Sequence, residues 1–220
     1  MKRRIIETGD GSKTIQLQEW QEQYHSKHGA VQEAYHVFIK HGLEQFSLNQ
    51  LNVLEIGFGT GLNALITLIE GNKRNTSINY VGVEQFPVSL EEVQQLEYIS
   101  TLSAQAFENE FTLMHQCPWE KEVVISKKFR LTKQKKDFQE IQDGNLFNLI
   151  YFDAFGPRVQ PQLWTEAIFQ IMHNALKMSG ILVTYSAKGS VRRAMQKVGF
   201  SVERLEGPPG KREMLRACKI

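Results

Sequence analysis

VLEIGFGTGLN (Val53–Asn63) places three closely spaced glycines between two apolar runs. An apolar run such as 51–56 is typical of a strand buried on both faces, and the residues after Gly61 have apolar positions at helical spacing. Glycines between a strand and a helix permit backbone conformations that side chains disfavour. The stretch therefore predicts a strand–turn–helix unit with free backbone N–H groups at the start of the helix.

Segments typical of strands and of helices alternate around this unit. Apolar runs predict strands at 51–56, 78–84, 146–153 and 180–186, and helical spacing predicts helices at 62–69, 88–99, 104–115, 162–176 and 191–198. A hairpin-like pair is expected at 122–126 and 129–134. Such alternation predicts a parallel sheet with helices on both faces and a ligand at the carboxyl ends of its strands.

The last two predicted strands, 200–206 and 211–219, have no helix between them. They are expected to pair antiparallel through the turn Gly207-Pro208-Pro209-Gly210. We therefore expect an α/β fold of the Rossmann-like class I methyltransferase type, a mostly parallel seven-stranded sheet ending in an antiparallel hairpin.

The N-terminal residues predict an addition to this fold. Two short strands are expected between Arg4 and Leu17 around the Asp10-Gly11 turn, and a helix from Ala30 to His41 that stops at Gly42. We assign residues 1–45 to an extension packed on the core and 46–220 to the methyltransferase domain.

The composition does not fit a membrane-spanning protein, a disulfide-rich protein or a zinc protein. The chain has 220 residues, 41% hydrophobic and 23% charged, as expected for one globular domain with additions. No apolar run approaches the ~18 residues of a membrane span, so we expect a cytoplasmic protein. Two cysteines, Cys117 and Cys218, are too few for a disulfide framework or a zinc site.

The glycine spacing indicates which cofactor is bound. A dinucleotide fingerprint, G-x-G-x-x-G, would need a third glycine at Leu62, whereas the sequence has E-x-G-x-G-x-G from Glu55 to Gly61. This pattern is typical of S-adenosylmethionine enzymes of this fold. Glu84, at the end of the next strand, is placed to accept the ribose hydroxyls, with a surface acid as the alternative. Asp137 either accepts the adenine amino group or caps a helix.

YFDAFGP (Tyr151–Pro157) ends another buried strand with Asp153, our candidate for the reaction centre; the alternative is an aspartate that opens a turn before Gly156-Pro157. Phe155 and Trp164 either stack on a substrate base or belong to the core.

Two basic segments suggest an anionic partner. Residues 188–220 contain nine Lys or Arg against three Asp or Glu, and 121–136 contain seven against one. Such patches suit nucleic acid, although a solvated surface is the alternative.

With these residues in view, nearly the whole chain resembles the methyltransferase domain of the bifunctional tRNA 5-methylaminomethyl-2-thiouridine biosynthesis (MnmC) family. The similar segments are YHSKHGAVQEAYHVF (24–38), GFGTGLN (57–63), EQFPV (84–88), YFDAFGPRVQPQLWT (151–165), SAKGSVRRAMQKVGF (186–200) and GPPGKREML (207–215). Nothing follows Ile220 that resembles the flavin-dependent oxidase half, so we expect a stand-alone form.

The resemblance implies methylation of the primary amine of 5-aminomethyl-(2-thio)uridine at tRNA wobble position 34, with separate enzymes supplying the aminomethyl group. It implies that Asp153 is catalytic. The cofactor residues it implies are Tyr24, Glu55, Gly57, Phe58, Gly59, Thr60, Gly61, Asn63, Glu84, Gln85, Asp137 and Asp153. The substrate or tRNA contacts expected with them are Phe155, Pro157, Trp164, Lys188, Arg192, Arg193, Lys211 and Arg212, with 127–136 as a second contact.

A carboxylate of ordinary pKa, ~3.9, competes poorly for an ammonium proton, so we expect Asp153 to orient the amine rather than act as a base. His25 and His28 have a metal-like spacing, but we expect no metal; Tyr24 and His25 either line the mouth of the site or pack ordinarily. Two alternatives remain, a methyltransferase of this fold for a small-molecule or protein amine and a non-catalytic RNA-binding relative.

Overall fold

The computed structural model describes residues 2–220, and the chain begins with a small antiparallel sheet. Its strands are β1 (Arg3–Glu7), β2 (Lys13–Leu17) and β3 (Glu22–Gln23), in that spatial order. The predicted hairpin is confirmed, with Asp10 Oδ1 accepting a hydrogen bond from the Ser12 amide at 3.1 Å. Asp10 Oδ2 also accepts from the Gln32 amide at 2.9 Å, so the turn holds the start of the next helix.

That helix covers the predicted range but changes from an α-helix to a π-helix along its length. It starts as α1 (Ala30–Ala34) and continues as a π-helical segment, Tyr35–Lys40, before the chain turns at Gly42. Val37 and Phe38 are buried in the same apolar cluster as Val53 of the main sheet. The boundary near residue 45 stays a prediction, since the buried cluster is continuous across it.

Eight strands form the main sheet, where we expected seven. They are β4 (Gln50–Ile56), β5 (Ser77–Val83), β6 (Glu122–Ser126), β7 (Phe129–Gln134), β8 (Phe147–Phe152), β9 (Leu176–Thr184), β10 (Phe200–Glu206) and β11 (Glu213–Lys219). Their spatial order is β10-β11-β9-β8-β4-β5-β7-β6. The additional strand is β6, which pairs antiparallel with β7 at the sheet edge. The predicted fold class and the antiparallel β10–β11 hairpin are confirmed.

Helices cover both faces of this sheet. They are α1 and α2 (Leu62–Lys73), α3 (Leu90–Gln94), α4 (Tyr98–Thr101), α5 (Glu108–Gln116), α6 (Glu166–Ala175) and α7 (Gly189–Lys197). Neighbouring residues of β4 point to opposite faces: Val53 packs in one buried cluster with Leu65 of α2, and Leu54 in the other with Phe169 of α6. The two clusters fix the sheet between its helices.

Two predicted helices are shorter than the sequence suggested. The helix expected at 88–99 is two short ones, because Glu97 adopts a left-handed backbone with φ 54° between α3 and α4. The helix expected at 162–176 begins only at Glu166, after a 3₁₀ turn at Pro161–Trp164, and Leu176 already belongs to β9. Across residues 2–220, no helix combines the length and apolar character that crossing a membrane requires.

Candidate functional site

The loop after β4 adopts a conformation that requires glycine at defined points. Gly57 has φ +91°, and a Cβ there would lie 2.9 Å from the carbonyl oxygen of Asp153. Gly59 has φ +50°, and a Cβ there would lie 3.1 Å from the ring of Tyr24. Side chains rarely adopt positive φ, so the loop passes closely beneath Tyr24 and beside the end of β8 only because both positions are glycine.

A cavity of about 540 Å³ opens at the carboxyl ends of β4, β5 and β8, as the parallel sheet predicts. Of the predicted cofactor residues, the ones lining it are Tyr24, Glu55, Gly57, Phe58, Gly59, Thr60, Asn63, Glu84, Gln85, Asp137 and Asp153. Gly61 lies outside this lining and caps α2 with φ 73°. The fold thus gathers residues that are far apart in sequence around one cavity.

Glu84 joins two loops of the cavity wall. Its carboxylate accepts the amide of Gly59 at 3.1 Å and the amide of Phe86 at 2.8 Å. Burial raises the pKa of Glu84, while these backbone hydrogen bonds oppose the rise. Glu84 therefore holds the glycine loop against the loop after β5.

Asn63 connects two carboxyl groups at the inner end of the cavity. Its Nδ2 donates to Glu55 Oε1 at 2.9 Å and to Asp153 Oδ2 at 2.8 Å. Within residues 2–220, the buried atoms Glu55 Oε2 and Asn63 Oδ1 have no hydrogen-bond partner. Buried acceptors are normally satisfied, so these atoms are candidates for a hydrogen bond from a ligand, although the buried Tyr80 hydroxyl also lies beside Glu55.

The carboxyl of Asp153 has an unusual protonation equilibrium. Burial and the negative charge of Glu33 raise its pKa to about 7, against the opposing effects of the Asn63 hydrogen bond and of Lys211. Burial likewise raises the pKa of Glu55 well above its usual range. Near neutral pH, Asp153 is therefore able both to release and to accept a proton.

Asp137 fills the capping alternative of the sequence analysis, and its contact with adenine stays a prediction. It caps the 3₁₀ turn Phe138–Glu140, where its Oδ1 accepts the Gln139 amide at 2.9 Å. The same residue lines the cavity.

An aromatic wall stands beside Asp153 in the cavity. Phe155 lies edge-on to Trp20, with ring centroids 5.7 Å apart, and edge-on to Tyr24 at 5.1 Å. All three line the cavity. Trp20 was missed by the sequence analysis, because the turn between β2 and β3 brings it to this place and no motif marks it.

Trp164 is a correction, since it belongs to the core. Its side chain is buried against Phe152 and Phe169, and its Nε1 donates to the Phe155 carbonyl at 2.8 Å. It supports the loop that carries Phe155. Pro157 is half-buried in the same loop and is not part of the cavity lining.

Of the side chains predicted to contact tRNA phosphates, some are exposed and others are partly buried or ion-paired. Lys188, Arg193 and Arg212 are exposed, whereas Arg192 is half-buried. Lys211 is a correction, because its ammonium pairs with the buried carboxylate of Glu33 and does not project as a free surface charge.

Within 127–136, Lys133 is also buried. Its Nζ donates to the His115 carbonyl at 2.8 Å and lies 4.9 Å from the centroid of the Trp119 ring. This lysine is no contact for a polyanion.

His25 and His28 are not brought together. His25 lines the cavity, where its Nδ1 lies 2.9 Å from Thr14 Oγ1 and its Nε2 3.4 Å from Thr60 Oγ1. Burial lowers the pKa of His25 to about 4, so its ring is neutral near pH 7. In the part of the chain that the structure describes, no three His, Cys, Asp or Glu side chains form a group able to hold a metal.

Comparison with known proteins agrees with this geometry. A family described as S-adenosyl-L-methionine-dependent methyltransferase has a model that matches residues 84–220. The chain belongs to this methyltransferase family. The match begins at Glu84 and includes Asp153, so the glycine loop is an observation independent of it.

The methyltransferase is also similar to larger proteins. It is 29% identical over 212 residues to the tRNA 5-methylaminomethyl-2-thiouridine biosynthesis bifunctional protein MnmC of Idiomarina loihiensis, covering 87% of this chain and 34% of that protein. It is 30% identical over 215 residues to the protein of the same name from Aromatoleum aromaticum, covering 88% of this chain and 32% of that protein. The chain thus spans about a third of the length of these curated relatives.

Solved structures share the fold. The structure of MNMC2 from Aquifex aeolicus superposes with a TM-score of 0.76 at 24% identity, over 98% of this chain and 70% of that one. Spermidine synthase from Thermotoga maritima superposes with a TM-score of 0.63 at 17% identity, over 99% and 68%. These likenesses concern the fold.

S-adenosylmethionine is the cofactor of the methyltransferase, and the cavity fits it. Its volume is within the ~300–1,000 Å³ of small-molecule sites. The unpartnered Glu55 Oε2 and Asn63 Oδ1 are acceptors for an ammonium group, and the glycine loop leaves no Cβ between the backbone and a ligand.

Proposed function

We propose that the methyltransferase methylates the primary amine of 5-aminomethyl-(2-thio)uridine at wobble position 34 of tRNA. The products are the 5-methylaminomethyl nucleoside and S-adenosylhomocysteine. The observation that carries this proposal is the partly buried carboxyl of Asp153, which lies in one cavity between the glycine loop and the aromatic wall. A site of this composition suits an amine attached to a flat ring.

Further support comes from the relatives. The MnmC proteins carry the modified nucleoside in their names, and their similarity extends over 87% and 88% of this chain. The segments quoted for the family resemblance include Asp153, Phe155 and the glycine loop.

The cofactor would be held by residues at the inner end of the cavity, with the ammonium group at Glu55 and Asn63, the ribose at Glu84 and the adenine at Asp137. Bound there, S-adenosylmethionine supplies an electrophilic methyl group on a sulfonium sulfur.

Asp153 acts on the amine. Its Oδ2 is taken by Asn63, and within the described residues Oδ1 accepts no hydrogen bond, so Oδ1 is the oxygen that we assign to the substrate amine. The sequence analysis expected Asp153 not to act as a base, because a carboxylate of ordinary pKa competes poorly for an ammonium proton. The raised pKa of Asp153, about 7, removes that objection. We assign Asp153 two tasks: Oδ1 accepts a proton from the substrate ammonium and passes it to solvent, and the carboxylate then orients the neutral amine by accepting an N–H hydrogen bond.

A wobble base lies in a single-stranded loop, where an enzyme splays it out and stacks it on aromatic side chains. Trp20, Tyr24 and Phe155 offer such a surface, while Lys188, Arg193 and Arg212 are the exposed cations for flanking phosphates.

The test is transfer of labelled methyl from S-adenosylmethionine into tRNA that carries 5-aminomethyl groups, followed by nucleoside mass spectrometry. We expect label in the 5-methylaminomethyl nucleoside. Label in a protein or a small amine, with none in tRNA, would show that the proposed substrate is wrong, while the assignment as a methyltransferase would stand. Failure of S-adenosylmethionine to raise the Tm would leave the RNA-binding alternative.

Trp20→Ala is expected to raise KM for tRNA by about 10-fold or more, because base–aromatic stacking is worth about 1–3 kcal/mol per base. The Kd for S-adenosylmethionine should change little, since Trp20 is not among the residues that we assign to the cofactor. Steady-state kinetics with calorimetry measures both. Trp20→Phe, which keeps a stacking ring, is the control, and equal losses in the two variants would contradict the role.

Lys188→Ala and Arg193→Ala are each expected to weaken tRNA binding and to lower the slope of log Kd against log salt by about 0.7–0.9, as loss of one phosphate contact requires. Fluorescence anisotropy at several salt concentrations measures this. Lys40→Ala, an exposed lysine outside the basic segments, is the matched control. An unchanged slope in both variants would remove these residues from the interface.

A further inference from the structure

An ion pair links the N-terminal and C-terminal parts of the chain close to Asp153. Glu33 belongs to α1, and Lys211 to the turn between β10 and β11. Lys211 Nζ bonds Glu33 Oε1 and lies 3.9 Å from the centroid of the Tyr185 ring. The side chain of Glu33 is only 9% exposed and that of Lys211 31%. Lys211 is therefore half-buried, with Glu33 and the ring of Tyr185 as its two partners.

The pair is connected to the residue after Asp153 through Tyr185. Tyr185 donates its hydroxyl to the carbonyl of Ala154 at 2.8 Å, directly after Asp153. Glu33 is fixed at its other oxygen, Oε2, by the Ser26 amide at 2.8 Å. Neither Glu33 nor Lys211 lines the cavity. The connection that the structure shows between the pair and the cavity therefore runs through the Asp153 loop.

The charges around Asp153 are unbalanced without Lys211. The titratable and charged groups that interact electrostatically with it are Glu33 from α1, Glu55 from β4, Tyr80 from β5, Tyr185 after β9 and Lys211 from the β10–β11 turn. Lys211 supplies the positive charge of this set. Opposite charges within a few Å favour the ionised carboxylate and like charges disfavour it, so Lys211 and Glu33 act on Asp153 with opposite signs.

We propose that Glu33 and Lys211 are positioning residues for methyl transfer: the pair docks the β10–β11 turn against α1 and sets the charge that Asp153 meets, with Lys211 favouring the ionised carboxylate and Glu33 opposing it. The inference rests on the proposed function, since it acts through the role given there to Asp153. It also gives Lys211, which the sequence analysis expected to contact tRNA, a role in supporting Asp153.

The test is the pH dependence of single-turnover methyl transfer by the full chain. Lys211→Met is expected to move the rising limb to higher pH by about 1 unit, because an uncompensated neighbouring charge has effects of ~1 unit or more. Glu33→Gln is expected to move it to lower pH, the double variant should lie between them, and Lys211→Arg should restore the wild-type limb. The Kd for S-adenosylmethionine should stay the same throughout.

A merely structural pair would give a different result. Both single variants would lose rate and Tm, but the rising limb of their pH–rate profiles would stay at the wild-type pH. That outcome overturns the proposal. If Lys211→Met does not fold, Glu33→Gln decides, since a limb that stays or rises in pH contradicts the assigned charge effect.

Titration of the ¹³C-labelled Asp153 carboxyl by NMR, without tRNA, separates this inference from the proposed function. Opposite shifts of the Asp153 pKa in the two single variants support the pair even if the wild type methylates no tRNA. Shifts of the same sign, or none, overturn it.

Discussion

Asp153→Asn is expected to lower the single-turnover rate of methyl transfer by about 100-fold or more, since a positioned acid or base contributes roughly 10²–10⁴. Asparagine preserves the shape of the side chain but accepts no proton. The pKa of Asp153 is raised to about 7, so the wild-type rate should rise with pH through that value as the carboxylate ionises. The variant should lack this limb.

Rapid quench with labelled S-adenosylmethionine and saturating tRNA measures the rate between pH 5.5 and 9. Calorimetry provides the control, since the Kd for S-adenosylmethionine should change by no more than a few-fold. A near-normal rate in the variant would show that Asp153 neither takes the proton nor orients the amine, and the mechanism would have to be given up.

The same substitution, Asp153→Asn, is expected to raise the stability of the fold although it lowers the rate of methyl transfer. A carboxyl whose folded-state pKa, about 7, exceeds its unfolded value of 3.8 makes folding less favourable as pH rises between the two. Asp153→Asn removes that cost, so the variant should gain Tm relative to the wild type between pH 5.5 and 8. Thermal unfolding at several pH values measures the difference. A variant that loses activity while gaining stability has a functional defect and not a folding defect.

Gly57→Ala is expected to weaken S-adenosylmethionine binding by about 10-fold or more, since a strained left-handed residue costs of order 1–3 kcal/mol. At φ +91° the new Cβ would lie 2.9 Å from the carbonyl oxygen of Asp153, so the loop or the end of β8 must move. Both hold residues of the cavity, and the methyl-transfer rate should therefore fall together with the affinity.

Gly144→Ala is the matched control, because a Cβ there meets no atom within 4 Å. Calorimetry and thermal unfolding of the two variants measure the effect. Equal Kd values for Gly57→Ala and Gly144→Ala would mean that the close approach of the glycine loop to Asp153 is not needed for cofactor binding.

Agreement between sequence and structure is strongest where the interactions are local. The apolar run before Gly57, the glycine spacing and the helix after Gly61 depend on neighbouring residues and on the preferences of glycine, and each was predicted correctly. Glu84 and Asp153 were placed at the ends of their strands because parallel strands present their carboxyl ends at one sheet edge. Their assigned roles remain proposals.

Predictions that depended on distant partners were less accurate. The helix expected at 88–99 breaks at Glu97, and Trp164 lies in the core, since its Nε1 finds the Phe155 carbonyl and its ring the side chains of α6 and β8. The edge strand β6 was expected as half of a hairpin but was not counted in the sheet.

The order of apolar runs and glycines along this chain is enough to specify the type of sheet, the place of the glycine loop and the sheet edge at which Glu84 and Asp153 lie, because these follow from short-range backbone preferences and strand direction. The protonation of Asp153, the aromatic wall with Trp20 and the pairing of Lys211 with Glu33 arise only when segments far apart in sequence pack together. Burial and electrostatic fields depend on distances in space, and a linear pattern of residue types does not contain those distances.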